Sequence, residues 1–430
     1  MICNNISKEG STLYFAGLDT TTLAKKYGTP LYLMDEDKIR QNCRIYIDAM
    51  KKAFGKNAQP LYASKAASFK RIYEIAKDEG MGIDVVSTGE IYTAKMAGFP
   101  LENAYFHSNN KTDEDIAFAM ENGIGHFVVD NKEELYAIDE EAKKQGKAQK
   151  ILLRLTPGID THTYEAVNTG KVDSKFGTAI ETGQAKEMVK LALSFSNIEL
   201  SGFHCHIGSQ VFDSDTFLRG SHIMLMFIKE IFDETGFMAS QLDLGGGYGV
   251  RYVDSDPYIN IEENIMSVAD AVKKECESLG IPVPKILMEP GRSIVADAGM
   301  TLYTVGTVKT IPGYKNYVSV DGGMTDNPRF ALYGSMYTVH IANKMDEKSD
   351  FHCSLVGRCC ESGDVIQENI FLPKPERGDI VAVCTTGAYN YSMASNYNRI
   401  ARPPVVMIKG GVDYVAVKRE TLSDIIKNDI

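Results

Sequence analysis

Between Leu61 and Glu289 the sequence alternates, eight times over, a short apolar run rich in β-prone residues with a longer stretch of helical spacing. The runs are Leu61 to Ser64, Ile83 to Val86, Ala104 to His107, His126 to Val129, Ile151 to Leu155, Ile198 to His206, Leu242 to Leu244 and Ile286 to Glu289. Each helix must cross back over the sheet, so such a chain runs its strands parallel and covers them with helices. Eight units predict a closed (β/α)8 barrel, in which functional groups come from the C-terminal ends of the strands and the loops that follow. The stretch from Ser68 to Glu79 is typical. Phe69, Ile72, Tyr73, Ile75 and Ala76 recur at helical spacing, Lys70, Arg71, Glu74, Lys77 and Asp78 point elsewhere, and Gly80 ends the helix.

After Arg292 the pattern changes to short alternating runs such as Thr301 to Thr310, Tyr317 to Val320, Ile380 to Val383, Val405 to Ile408 and Tyr414 to Lys418, broken by Pro and Gly. These predict a second, all-β domain of sandwich or barrel-like form. Ser11 to Phe15 and Pro30 to Met34 also read as strands, with a helix at Asp19 to Tyr27, so the N-terminal segment is expected to join that domain. The expected division is a barrel over 35–292 and a β domain formed by 1–34 with 293–430.

Four segments fall at the predicted mouth of the barrel: Lys65, the His206-Ile207-Gly208-Ser209 run, Gly245-Gly246-Gly247, and Glu289-Pro290-Gly291-Arg292. A Lys at the end of a core strand is costly to bury as an ammonium, which favours a neutral, nucleophilic amine able to form a Schiff base; it can equally snorkel to solvent. Bare backbone N–H groups of the glycine loops after the seventh and eighth strands, with Ser209 and the Arg292 fork, suit a phosphate, although a triple glycine also makes a plain sharp turn. Glu289 can pair with a protonated ring nitrogen or with Arg292 or Arg154. His204 and His206 share one face of their strand and flank Cys205. They invite a zinc reading, but no third ligand stands at metal-site spacing, so no metal is expected. The alternatives are a flat imidazole stacked on a cofactor ring and, for one of the pair, a plain core histidine.

Composition limits the partners. The chain has 430 residues, 44% of them hydrophobic and 24% charged, and a net charge of −11. This acidic balance opposes binding to nucleic acid or an anionic membrane surface. No run reaches the roughly 18 apolar residues of a membrane span, and the eight cysteines are scattered without disulfide or zinc spacing. A cytoplasmic enzyme is expected.

At these residues the chain resembles the fold type III pyridoxal-phosphate decarboxylases, most closely those acting on meso-diaminopimelate. The resemblance covers nearly the whole length. It is carried by Tyr62 to Ala66, Phe203 to Gln210, Leu244 to Gly247, Glu289 to Arg292, Asp321 to Asp326, Arg329 with Ala331-Leu332-Tyr333, Cys360 to Asp364, and Gly387-Ala388-Tyr389. It implies that Lys65 holds pyridoxal 5′-phosphate covalently, that His206 stacks on the ring and that Glu289 binds the ring nitrogen. Ser209, Gly247, Gly291 and Arg292 would hold the phosphate. Arg292, Arg329 and Tyr333 would contact the carboxylates of the substrate, Glu361 its distal ammonium group, and Tyr389 would lie against the cofactor. Cys360 would be the proton donor, with Cys360 and Glu361 supplied by the second subunit of a homodimer. The expected reaction is decarboxylation of meso-2,6-diaminopimelate to L-lysine and CO2. Decarboxylation of D-ornithine, D-lysine, L-ornithine or arginine is the alternative, and a non-catalytic homologue that binds a protein partner is the rival from another class.

Overall fold

The structure, a computed structural model, describes residues 1–159 and 174–430. It divides into two compact units. The first comprises Cys43–Gly249 and Tyr258–Gly291; the second comprises Met1–Asn42, Val250–Pro257 and Arg292–Ile430.

The first unit is the expected barrel. Its strands are β1 (Ala58–Ala63), β2 (Gly82–Val85), β3 (Ala104–Phe106), β4 (His126–Val129), β5 (Gln149–Thr156), β6 (Ile198–His204), β7 (Gln241–Asp243) and β8 (Lys285–Met288). All neighbours pair in parallel in this order, β8 returns to β1, and β4 beside β5 completes the ring. Leu61, Tyr105, Val128, Leu152 and Leu287 pack together inside it, so the interior is a filled core with every strand end fixed.

Local sequence sets where the helices begin and end. The helix Lys70–Glu79 buries Ile72, Tyr73, Ile75 and Ala76, as its spacing predicts, and stops where Gly80 turns left-handed at φ 81°. Thr112 and Asp115 close a capping box at the helix Asp113–Glu121, and Asn131 caps the helix Lys132–Gln145. Beside them Lys111 and Glu134 form a fully enclosed ion pair at 2.7 Å, and Lys111 also donates to the Val128 carbonyl at 2.9 Å.

In the second unit the strand Leu31–Asp35 lies between Gly299–Ile311, antiparallel to it, and Val405–Lys409, parallel to it. Further strands extend this into a nine-stranded mixed sheet, and Ile6–Glu9, Thr12–Phe15 and Leu18–Asp19 form a separate small sheet. Phe15, Leu23, Leu31, Leu33, Met300, Leu302, Val406 and Ile408 share one buried cluster. The N-terminal segment is therefore built into the sheet-rich unit.

Candidate active site

Glu289 follows β8 directly and is buried. Its Oε2 lies 3.3 Å from His204 Nε2, in a hydrogen bond, and its Oε1 lies 2.8 Å from His107 Nε2. That second approach lacks hydrogen-bond alignment, so Oε1 still lacks an aligned donor. Asp84 on β2 stands 3.7 Å from the same His107 nitrogen. Asp243, at the end of β7, accepts from the Gly245 N–H at 2.8 Å. Although burial opposes its charge, the neighbouring His107 and His204 hold Glu289 well below the usual carboxylate range. Burial, reinforced by the charge of Glu289, drives Asp243 well above that range, so Asp243 is the protonated member of the pair. Burial likewise brings His204 down to about 4, which leaves it neutral.

His206 lies two residues past the end of β6, a strand shorter than its apolar run. Its Nδ1 accepts from the Gly246 N–H at 3.3 Å. The ring keeps some exposed surface, yet burial and then the charges of Lys65 and Arg154 hold its pKa well below the ordinary value, so it too is neutral. The loop carrying Ser209 is laced to the glycine loop: Val211 N–H donates to the Gly247 carbonyl at 2.9 Å, and Gly249 N–H donates to the Val211 carbonyl at 2.9 Å. Gly247 has φ 118°, and a Cβ there would meet the Gly208 carbonyl oxygen at 2.3 Å. A side chain is excluded, and the bare backbone stays open to an anion. Gly291 packs as closely, with a Cβ meeting that of Ala63 at 2.9 Å.

Lys65 departs from one expectation. It sits in a one-turn helix, Ser64–Ala66, past the end of β1, and is exposed. Desolvation inside the core is therefore not what would activate its amine. Its charge does act inward, on His206, Asp84 and Glu90.

The second unit holds its own buried cationic group. Arg292 Nη1 donates to the Tyr252 hydroxyl at 2.7 Å, and the guanidinium Cζ lies 4.8 Å from the centre of the Tyr389 ring. Arg329 Nη1 donates to the Tyr337 hydroxyl at 2.8 Å, and its Cζ lies 4.7 Å from the Tyr252 ring centre. Arg329 is only 5% exposed, so it does not form the exposed pair with Tyr333 that their spacing alone allows. Tyr389 adopts φ 60°, a strained conformation for a non-glycine residue. Cys360 and Glu361 are both exposed.

Sequence reasoning missed Asp84, His107, Asp243, Tyr252 and Tyr337. For the first three a signal existed, because each is a polar residue inside or ending an otherwise apolar barrel run. His107, His204 and Glu289 offer three ligand atoms within 4.8 Å of one another. Local spacing hid this convergence, since the three come from different strands.

These groups fit pyridoxal phosphate. A buried, ionised carboxylate with one oxygen lacking an aligned donor suits a protonated ring nitrogen, a neutral imidazole suits a stacked ring, and the glycine backbone suits a phosphate. The family model for the pyridoxal-dependent decarboxylase, pyridoxal binding domain, matches residues 37–296, and the chain belongs to this pyridoxal-dependent family. Among curated relatives, the diaminopimelate decarboxylase of Bacillus subtilis (strain 168) is 45% identical, covering 97% of this chain and 95% of that one. The solved diaminopimelate decarboxylase of M. jannaschii in co-complex with L-lysine is 34% identical with a TM-score of 0.91, covering 99% and 98% of the two chains. The lysine/ornithine decarboxylase of Vibrio vulnificus complexed with putrescine is 27% identical with a TM-score of 0.75, over 91% and 97%.

Proposed function

We propose that this chain decarboxylates meso-2,6-diaminopimelate to L-lysine and CO2. The observation that carries the reading is Glu289, a buried carboxylate kept ionised at the end of β8, in a chain 45% identical to a diaminopimelate decarboxylase. When bound, pyridoxal phosphate supplies an aromatic sink for the electron pair left when the carbon–carboxylate bond breaks. Lys65 would hold the cofactor covalently, His206 would lie against its ring, and Glu289 would bind its nitrogen. Ser209, Gly247, Gly291 and Arg292 would take the phosphate.

Arg292, Arg329 and Tyr333 are assigned to the substrate's carboxylates, and Tyr389 to the cofactor and substrate. Two buried guanidiniums, each donating to a phenol, support recognition of a substrate with two carboxylates. Cys360 is assigned the proton that replaces CO2 on carbon, and Glu361 the distal ammonium. Their exposure, with Leu332 and Met336 also exposed, supports completion of each site by a second copy, hence a homodimer with shared sites. The barrel thus carries the cofactor, and the β unit the substrate and dimer contacts. Among the described residues no helix is long and apolar enough to cross a membrane, and none of the eight cysteines is joined in a disulfide. Reduced thiols support a cytoplasmic site of action.

The test is an absorbance spectrum of purified protein before and after meso-diaminopimelate, with lysine and CO2 assayed together. A visible band of the bound cofactor, with lysine formed and the band lost in Lys65→Ala, supports the reading. CO2 released from ornithine or lysine and none from diaminopimelate would sink it.

A further inference from the structure

We propose that His204, with His107 beside it, is a positioning pair that keeps Glu289 charged and turned so that one carboxylate oxygen is left for the cofactor's ring nitrogen. The inference rests on the role of Glu289 proposed above. A carboxylate only accepts, so the His204 nitrogen 3.3 Å from Oε2 must carry the proton, and the lone pair falls on Nδ1. That Nδ1 is buried and has no hydrogen-bond partner in the structure. Leaving a buried acceptor unsatisfied is costly, so the tautomer is dictated by Glu289 rather than by any need of His204.

The arrangement fixes the carboxylate from two sides. His204 occupies Oε2, while His107 faces Oε1 at 2.8 Å without hydrogen-bond alignment. The two imidazoles brace each other edge-on, 4.9 Å apart at 72°. Together they break a symmetry. Glu289 faces Asp84 from β2, His107 from the end of β3, Arg154 from β5, His204 from β6 and Asp243 from β7, with Lys65 acting on Asp84. Glu289 and Asp243 cannot both ionise comfortably in this enclosure. The His204 N–H chooses between them: it bonds Glu289, which keeps its charge, while Asp243 keeps the proton. Neither histidine touches the reacting carbon in this assignment; both act through Glu289.

The experiment compares cofactor binding in the wild type, His204→Gln and His204→Leu, read by titration of the visible band, with histidine 15N spectra of the wild-type protein. A glutamine amide can replace the Nε2 donor; leucine cannot. The expected results are a cofactor Kd raised about tenfold or more in His204→Leu, the size of a hydrogen bond to a charged group, recovery to near wild type in His204→Gln, and a protonated Nε2 on His204. Equal affinity in wild type and His204→Leu, or an unprotonated Nε2 such as a metal-bound nitrogen shows, overturns the inference. If His204→Leu does not fold, the 15N spectrum decides. A wild-type protein with no cofactor band overturns the role of Glu289 and this inference with it, whereas a wild-type band with an indifferent His204→Leu overturns the inference alone.

Discussion

The Tyr252 hydroxyl accepts a hydrogen bond from Arg292 at 2.7 Å while the Arg329 guanidinium lies 4.7 Å from the centre of the same ring. Burial alone would raise the pKa of this phenol. The two guanidiniums outweigh burial and bring it below its ordinary value. Tyr252 therefore draws two positive charges towards one point. In Tyr252→Phe the ring stays and this acceptor is lost, and kcat/KM for diaminopimelate should fall about tenfold or more, as for a bond to a charged group. Steady-state kinetics check it; a variant matching wild type would remove Tyr252 from the substrate machinery.

Gly246 is where the glycine loop meets the end of β8. A Cβ there would stand 2.1 Å from the Glu289 carbonyl oxygen, a backbone atom that cannot step aside. Gly246→Ala should cost about 1–3 kcal/mol of stability through overpacking and, by displacing Glu289, weaken the cofactor. Chemical denaturation and titration of the visible band measure the two effects. Wild-type values in both would mean that the loop has slack the packing does not suggest.

Lys111 and Glu134 are enclosed together, with side chains 0% and 2% exposed. Removing the cation leaves Glu134 a buried, uncompensated charge, so Lys111→Met should lose about 3–5 kcal/mol. The double variant Lys111→Met with Glu134→Leu should recover much of this loss. Urea unfolding of the three proteins provides the comparison.

His126 stacks on Tyr105 with ring centres 4.4 Å apart, and burial lowers its pKa from 6.5 to about 4. The folded protein thus binds fewer protons here than the unfolded chain between these values. The stability this group contributes is complete above its unfolded pKa of 6.5 and is lost as pH falls towards 4. His126→Phe keeps the stack and removes the titration, so its melting temperature should fall less steeply than that of the wild type between those two pH values. Parallel slopes would show that His126 is not buried as a neutral ring in solution.

The barrel was legible because its signal is local: each strand declares itself in one short apolar run, and parallel pairing follows from the helices between them. His206, Gly247 and Glu289 lie at strand ends for the same reason. The electrostatic state of the site was not legible. Asp84, His107 and Asp243 are far apart in sequence, and only the pairing of β8 with β7 on one side and with β1, then β2 and β3, on the other brings them near Glu289. Lys65 misled in a second way, because the run into Ser64 reads as strand while the chain turns into a short helix before the lysine. Tyr252 and Tyr337 carried no sequence signal, since tyrosine is as much at home in an ordinary core as against a guanidinium.

The placement of Leu31–Asp35 between Gly299–Ile311 and Val405–Lys409 bears on how the protein is made. Just beyond this strand, Asp37 accepts from the Gly410 N–H across 373 positions of sequence. At ordinary elongation rates that gap is roughly tens of seconds of synthesis. All of the barrel leaves the ribosome in that interval, while Leu31–Asp35, buried along its whole length in the finished fold, waits with neither neighbour yet made. An apolar unpaired strand is a template for wrong partners. A chain released before Val405 would keep that strand exposed on one side, so early termination should yield aggregates rather than a shortened but soluble enzyme.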